Sequence, residues 1–192
     1  SIDPSNTLKI NIQGTQNILD IAIKKKISRI IFASTIYVYS DLGSFYRVSK
    51  QACEKIIEEY QREFGLDYTI LRYGSLYGPR SDEKNGLRKI ISEAVLNKSL
   101  KYYGNKDSIR EYIHVRDAAS ASIKALEDKF INKKLILTGQ QPIKLVDLLN
   151  MLAEMMNYPK KSINFVNEKY KGHYIQTPYH YDSDLAQKYV PD

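Results

Sequence analysis

One stretch of the chain, residues 30–50 (IIFASTIYVYSDLGSFYRVSK), constrains the fold more than any other. It begins with a short apolar run, residues 30–33, which is typical of a strand buried on both faces in a parallel sheet. Two hydroxyl side chains, Ser34 and Thr35, follow where that strand should end, and a short loop leads into a helical pattern. The stretch therefore predicts a strand, a loop and a helix in direct succession, as in α/β proteins.

The predicted helix carries Tyr46 and Lys50, whose spacing places the phenol and the ammonium on one face, about one turn apart. A free tyrosine has a pKa near 10 and supplies little phenolate at neutral pH. A neighbouring cation should lower that pKa, so that Tyr46 could move a proton on or off a substrate hydroxyl. Because the chain has 16 tyrosines, the spacing alone is weak evidence. Its position directly after the strand and the two hydroxyls strengthens it.

Strands and helices alternate along the rest of the chain. We predict helices over residues 5–26, 45–64, 87–98, 116–128 and 145–157, and strands over residues 28–34, 67–72, 100–103, 111–115, 134–138 and 162–166. Residues 73–86 are predicted to form a long loop, and residues 184–189 a helical turn. This alternation predicts a right-handed, doubly wound α/β sheet.

Composition narrows the class of protein. A chain of 192 residues with 43% hydrophobic and 27% charged residues is ordinary for a soluble globular protein of one domain or a little more. No run approaches the ~18 apolar residues of a membrane span, and the N-terminus shows no signal pattern. The single cysteine, Cys53, excludes a disulfide framework within the chain and is interpreted as a core residue. We therefore expect a cytoplasmic protein that does not associate with membranes.

The net charge of +7 bears on the partners of the chain. Its lysines are spread along the predicted helices and form no stripe with interleaved aromatic residues, so a nucleic-acid partner is not expected. A basic surface also suits an anionic small-molecule substrate. The three histidines and one cysteine show no ligand spacing, so no metal site is predicted.

Five segments, in order, resemble motifs of the extended short-chain dehydrogenases, the NAD-dependent epimerase/dehydratase family that acts on nucleotide sugars. The segments are residues 11–15 (NIQGT), 33–39 (ASTIYVY), 46–50 (YRVSK), 71–80 (LRYGSLYGPR) and 110–117 (REYIHVRD). Five matches in the correct order are far more specific than any one of them.

The resemblance implies a partial Rossmann-like, doubly wound parallel sheet with a small C-terminal substrate-binding α/β part. Residues 1–80 would be the C-terminal portion of the NAD-binding domain, with the tyrosine and the lysine. Residues 81–192 would be mainly substrate-binding, with one or two segments near residues 111–138 returning to the main sheet. The resemblance also implies a homodimer through helices 6–26 and 45–64.

The glycine-rich loop that dinucleotide-binding folds carry after their first strand is missing. The nine glycines are scattered and never form that pattern. In the family the loop lies well before the motif that begins here at residue 11. We therefore expect a family member that lacks its first strands and a little of its C-terminus. Such a chain should bind NAD poorly by itself and expose an apolar sheet edge.

The resemblance also assigns roles around the proton-transfer step. Tyr46 would act as general base and then as acid, while Lys50 would lower its pKa and bind the nicotinamide ribose. Thr35 would bridge the substrate oxygen and the Tyr46 phenol, and Ser34 is the second candidate for that role. Asn11 would contact cofactor or substrate, although an ordinary polar helix position explains it nearly as well.

Other residues would bind the nucleotide. Arg110 would clamp a diphosphate, for which a planar bidentate donor is well suited, or it could instead pair with a neighbouring carboxylate (Asp107 or Glu111). Arg80 is a weaker anion candidate. The segment from Leu100 lies where the family wraps the nucleoside base, and Tyr102 or Tyr103 could stack on that base.

Two departures from the family pattern concern the strand end and the loop after it. Ile36 and Tyr37 stand where family dehydratases have Asp-Glu, so dehydration is disfavoured and epimerisation or simple redox chemistry is favoured. Only ten residues separate Thr35 from Tyr46, so the sugar end of the site should be open.

A third departure lies at residues 74–75. Gly74 and Ser75 replace a bulky residue and an asparagine. Tyr73 and Gly74 are expected beside the cofactor, with the nicotinamide wall lost at Gly74, and Ser75 could still donate to a phosphate.

These observations favour an NAD-dependent nucleotide-sugar epimerase, with NADP as the alternative cofactor and a nucleotide-diphosphate sugar as substrate. A nucleotide-sugar reductase with the same tyrosine and lysine is the second interpretation. The third is a non-catalytic fragment that binds a nucleotide sugar or a partner protein, which the missing glycine loop supports.

Overall fold

The structure, a computed structural model, describes residues 3–166 and 174–179. Its main sheet has parallel strands in the order β1 (Arg29–Thr35), β2 (Asp67–Tyr73) and β6 (Lys133–Leu137). Thr35 and Tyr73 are partners in the register of the first pair, so β1 and β2 end side by side. This parallel α/β arrangement confirms the predicted fold class. The helical turn predicted over residues 184–189 lies outside the described residues.

Six α-helices are found in the described part of the chain. They are α1 (Pro4–Leu8), α2 (Gly14–Lys24), α3 (Ser44–Phe64), α4 (Gly86–Asn97), α5 (Val115–Lys124) and α6 (Leu145–Met155). A π-helical turn, Lys9–Gln13, joins α1 to α2, so the helix predicted over residues 5–26 is one helical segment with a local widening. α3 ends at Gly65 in the left-handed conformation (φ 69°), as its sequence predicted.

Two smaller sheets lie outside the main one. Their strands are β3 (Ser75–Tyr77), β5 (Ile109–His114) and β7 (Pro142–Lys144) in one sheet, and β4 (Leu100–Tyr103) and β8 (Ile163–Val166) in the other. The prediction of an unbroken loop over residues 73–86 was wrong, because β3 forms within it. β3 pairs with β5, more than thirty residues away, and local propensity cannot reveal such a pairing.

The apolar core consists of two separate clusters of buried residues. The first packs α2 and α3 against the main sheet, with Leu19, Ile57 and Ile70 almost fully buried. The second joins α4, α6 and the β4–β8 sheet around Leu100 and Leu149. Helices α4 and α6 and the β4–β8 sheet therefore have a hydrophobic core of their own.

A buried polar network connects the main sheet to α3. Arg72 of β2 donates through Nε to Glu54 Oε1 at 3.1 Å and through Nη2 to Glu54 Oε2 at 2.5 Å. Ser34 of β1 donates to the same carboxylate at 2.5 Å, and the Tyr39 hydroxyl contacts Arg72 Nη1. Arg72, Glu54 and Ser34 are all less than 10% exposed. The network therefore fixes two strand ends and α3 relative to one another.

Residues 3–166 and 174–179 contain neither a membrane-spanning helix nor a cluster of metal-ligating side chains. No helix in these ranges is long and apolar enough to cross a membrane. These residues also bring together no group of three or more side chains that could hold a metal ion.

Replacing Arg72 by methionine should lower the free energy of unfolding by about 3–5 kcal/mol, because Glu54 would be left as a lone buried charge. Urea denaturation measures this loss. Adding Glu54→Leu should recover part of it, since no unpaired charge then remains buried. The matched control is Arg62→Met, which breaks an exposed pair with Glu59 on the same helix and should cost less than about 1 kcal/mol. Equal losses for the two single variants would contradict the assignment.

Candidate active site

A cavity of about 580 Å³ opens where the carboxyl ends of β1 and β2 meet α4, β4 and β5. Ligands in α/β folds generally bind at the carboxyl ends of parallel strands. The cavity wall includes seven residues that the sequence predicted for the site: Thr35, Tyr73, Gly74, Ser75, Tyr102, Tyr103 and Arg110. The structure therefore brings these seven predicted residues together around one space.

Thr35 connects this cavity to Tyr46. Thr35 is 6% exposed, its side chain lies close enough to the Tyr46 phenol to affect its pKa, and its hydroxyl oxygen accepts from the Tyr37 amide at 3.3 Å. Partial burial raises the pKa of Tyr46, and the hydrogen bond with Thr35 opposes that rise without cancelling it. The expectation of a lowered pKa at Tyr46 is therefore wrong for the structure as it stands.

The position of Lys50 explains this result. Its ammonium donates to the Ala33 carbonyl at 2.9 Å and lies 4.7 Å from the centroid of the Phe32 ring. The distance from Nζ to the centroid of the Tyr46 ring is 6.0 Å. Burial lowers the pKa of Lys50, against smaller opposing effects of Cys53 and Glu54. Lys50 is thus directed at strand β1 rather than at the phenol.

Two predicted residues lie elsewhere. Ser34 donates to Glu54 in the buried network and is not brought to Tyr46, because successive side chains of a strand point to opposite faces. Asn11 donates through Nδ2 to Ser49 Oγ at 2.8 Å, and that hydroxyl donates to the Tyr46 carbonyl at 2.8 Å. Asn11 therefore packs against the first turns of α3 and does not line the cavity.

The structure explains why position 74 is a glycine, which the sequence did not reveal. A Cβ atom at this position would lie 2.6 Å from Thr138 Oγ1, so no side chain fits as the chain passes from β2 to β3. The Gly74 amide donates to the Leu137 carbonyl at 2.9 Å at the end of β6. Beside it, the hydroxyls of Tyr73 and Ser122 are 2.6 Å apart. The close approach of Thr138 therefore explains why a bulky residue is absent at position 74.

Arg110 is the most unusual charge in the site. It is 5% exposed, and its Nη1 donates to the carbonyls of Ile109 (2.9 Å) and Tyr174 (2.7 Å). Its guanidinium lies over the Tyr174 ring, with Cζ 4.7 Å from the centroid. Within the described part of the chain it forms no ion pair, so the alternative pairing with Asp107 or Glu111 is not found. A buried cation without a carboxylate partner is costly and suits an anionic ligand.

The remaining predicted residues differ in their placement. Tyr102 and Tyr103 both line the cavity, and Tyr103 is 48% exposed. Leu100 is fully buried in the second core cluster, so its side chain is a packing residue and not a ligand contact. Arg80 is exposed, has a positive φ of 67° and lies outside the main cavity.

Several cavity residues were missed by the sequence analysis. They are Tyr37, Lys84, Asn85, Lys89, Lys101, Tyr112 and Tyr174. Asn85 caps α4 by accepting from the Arg88 amide at 3.0 Å, and the Asn-Gly start of that helix could have indicated it. Burial raises the pKa of Tyr112 to about 12, so its phenol stays neutral. Tyr174 has no local signal, because it meets Arg110 only through the tertiary fold.

The start of α4 adds a second feature for anions. Asn85, Gly86 and Leu87 line the cavity at the N-terminus of this helix. Helix N-termini favour negative charge because their first amides are unpaired and the helix dipole is positive there. Together with Arg110, this end of the cavity is suited to a phosphate-bearing ligand.

Residues 1–136 match the family model of the NAD dependent epimerase/dehydratase family, and the chain belongs to that family. The match confirms the resemblance seen in the five sequence segments.

Among curated relatives, a putative UDP-glucose 4-epimerase of Methanocaldococcus jannaschii is 35% identical over an alignment of 137 residues, with coverage of 62% of this chain and 45% of that protein. The UDP-glucuronate 4-epimerase of Thermodesulfobacterium geofontis is 26% identical over 167 residues, 79% of this chain and 51% of that protein. The chain thus spans about half the length of the curated relatives it matches.

Solved structures show the same relationship. The UDP-glucose 4-epimerase of Thermotoga maritima, crystallised with UDP-glucose, is similar with a TM-score of 0.81 and 26% identity, covering 94% of this chain and 63% of that one. The dTDP-glucose 4,6-dehydratase of Bacillus anthracis, in complex with NAD, has a TM-score of 0.82 and 22% identity, covering 99% and 66%. The second likeness shows the fold alone.

The causes of the Tyr46 pKa can be separated by titration. In the ligand-free chain, Tyr46 should titrate above the ordinary value of about 10. Thr35→Val should raise its pKa further because the opposing hydrogen bond is lost, whereas Lys50→Met should change it little. NMR of ¹³C-labelled tyrosine measures this, with Tyr46→Phe to assign the signal. A clear rise in Lys50→Met with none in Thr35→Val would reverse the roles given to the two residues.

Proposed function

We propose that this protein acts in the NAD-dependent epimerisation of a nucleotide-diphosphate sugar. The observation that carries the proposal is that Thr35 and the buried Arg110 line one cavity. Thr35 interacts with the phenol of Tyr46, the proposed proton-transfer group, and Arg110 supplies a positive charge. A nucleotide sugar has the matching chemistry, with hydroxyls at one end and a diphosphate next to them.

The chain offers a partial fit to the nicotinamide part of NAD. The Lys50 ammonium has three hydrogens and one described acceptor, the Ala33 carbonyl, so it can still donate to ribose hydroxyls. The 192 residues contain no glycine-rich loop for the pyrophosphate, so these residues address only the nicotinamide side. When bound, NAD supplies the hydride acceptor and donor.

The chain's own residues would handle the proton and the orientation of the sugar. Tyr46 takes the proton of a sugar hydroxyl as that carbon is oxidised, and returns it after the sugar has turned its other face. Thr35, which already bonds the phenol, would hold the reacting oxygen beside it. Arg110 and the start of α4 would retain the diphosphate while the sugar turns, with Ser75 nearby and Tyr102 or Tyr103 against the base.

Water elimination has less support than epimerisation. Ile36 is 1% exposed and carries no acid–base group, and Tyr37 has a phenol where a dehydratase requires a carboxylate. Positions 36 and 37 therefore do not supply the additional acid and base that elimination needs.

A nucleotide-sugar reductase is the second candidate, and one observation favours it. Burial raises the pKa of Tyr46, which favours the protonated phenol that a reductase needs as the proton donor to the carbonyl it reduces. The two functions differ in cofactor use, since an epimerase returns its hydride to the substrate and a reductase consumes reduced cofactor.

We also propose the predicted division of the chain, with a cofactor-side part in residues 1–80 and a mainly substrate-binding part in residues 81–192. β6 supports a return to the main sheet, because it pairs with β2. For assembly, we propose a homodimer through the helical segments 6–26 and 45–64. Exposed apolar residues on these segments support it: Ile10, Ile18, Ile21, Phe45, Val48 and Phe64.

In the protein that carries these residues, Tyr46→Phe should reduce turnover of UDP-glucose with NAD by at least about a hundredfold, because general acid–base catalysis is worth that much or more. UDP binding should be unchanged. Tyr60→Phe, which removes another phenol hydroxyl of α3, one that contacts Asp20, is the matched control. Product sugars and NADH are measured by NMR and absorbance, and net formation of NADH with an oxidised sugar indicates the reductase running in reverse. Full turnover by Tyr46→Phe would remove Tyr46 from the mechanism.

The dimer can be tested by sedimentation velocity. Ile18→Asp should convert the dimer to monomer, because a buried carboxylate would face an apolar partner surface. Ile123→Asp, on an equally exposed isoleucine of α5, should leave the mass unchanged. A monomeric wild-type chain would refute the proposed assembly.

A further inference from the structure

Residues 174–179 form a strap across β5, next to the cavity. The Ile109 amide donates to the Ile175 carbonyl at 2.7 Å, and the Tyr179 hydroxyl contacts Glu111 Oε2. Thr177, between them, is 4% exposed. The strap is thus attached at both ends to the strand that carries Arg110.

Tyr174, the first residue of this strap, contacts Arg110 and two other residues of the cavity wall. Its carbonyl accepts from Arg110 Nη1 at 2.7 Å, and its ring lies under the guanidinium. Its hydroxyl is 3.3 Å from Ser75 Oγ, and its ring centroid is 5.3 Å from that of Tyr37. Tyr174 is 7% exposed and still lines the cavity.

These contacts restrict the orientation of the Arg110 guanidinium. Its Nη1 is occupied by two backbone carbonyls, and stacking on the Tyr174 ring fixes the plane of the group. The Nη2 nitrogen has only a long contact, 3.5 Å, with the Tyr102 hydroxyl on the cavity wall. An arginine held in this way can bind an anion through its remaining edge without losing further side-chain freedom.

We propose that Tyr174 is a positioning residue of the substrate site, which orients Arg110 so that its free edge meets the phosphate group of the ligand. This inference rests on the proposed nucleotide-diphosphate function. It adds a residue from a distant part of the chain to the site, and it assigns the anion-binding geometry to a tyrosine that carries no charge.

The test compares UDP with uridine, which lacks the phosphates, by calorimetric titration of the whole chain. Tyr174→Ala should weaken UDP binding about tenfold, the scale of one misplaced charge-assisted hydrogen bond, and uridine binding less than about twofold. Tyr174→Phe keeps the ring and the carbonyl and should bind both ligands within about twofold of wild type. In an Arg110→Ala background, adding Tyr174→Ala should cause no further loss of UDP affinity.

A merely structural role predicts a different pattern, with equal loss for UDP and uridine or additive losses in the double variant, and either result overturns the inference. If Tyr174→Ala fails to fold, as judged by circular dichroism, Tyr174→Leu keeps most of the volume without the aromatic face and replaces it in the series.

A ligand-free measurement separates this inference from the proposed function. The ¹H–¹⁵N signals of the Arg110 guanidinium should show slow rotation in wild type and fast rotation in Tyr174→Ala. Fast rotation in both proteins overturns the positioning role. If rotation is slow but wild type does not prefer UDP over uridine, the proposed nucleotide site fails while the contact between Tyr174 and Arg110 stands without its role in phosphate binding.

Discussion

The buried interaction of Arg72 with Glu54 is the constraint on which the site depends. Arg72 lies near the end of β2 and Glu54 lies one turn beyond Lys50 on α3, while Ser34 adds the end of β1 to the same carboxylate. Since a lone buried charge is strongly unfavourable, these three elements cannot shift separately. Because Thr35 lies on β1 and Tyr46 lies on α3, the same network also holds these two residues next to each other.

The second half of the site depends on a different kind of constraint. Gly74 passes so close to Thr138 that only a residue without a side chain fits, and this close passage directs the chain from the main sheet into β3. β3 then pairs with β5, which carries Arg110. The close passage at Gly74 thus connects the main sheet, where Thr35 lies beside Tyr46 of α3, to the sheet that carries the buried Arg110. One extended ligand can reach both groups.

The sequence predicted those features that depend on local pattern or on a motif. The strand before Ser34, the end of α3 at Gly65 and the burial of Cys53 followed from periodicity and cap chemistry. Features set by tertiary contacts were not accessible. Leu100 looked like a ligand contact but packs against α6, and Tyr174 reaches the cavity only because its segment crosses β5.

The two shifted pKa values at the proton-transfer end show why helical spacing alone could not predict the electrostatics. Burial disfavours charge on both side chains, so it raises the pKa of Tyr46 and lowers that of Lys50. The raised pKa of Tyr46 favours a neutral tyrosine, and the Lys50 ammonium is already engaged by the Ala33 carbonyl. Among the described residues, Thr35 is the group whose contact lowers the Tyr46 pKa. The readiness of the phenol to give up its proton therefore depends on the strand end, and the lysine one turn away contributes to orientation more than to acidity in the ligand-free protein.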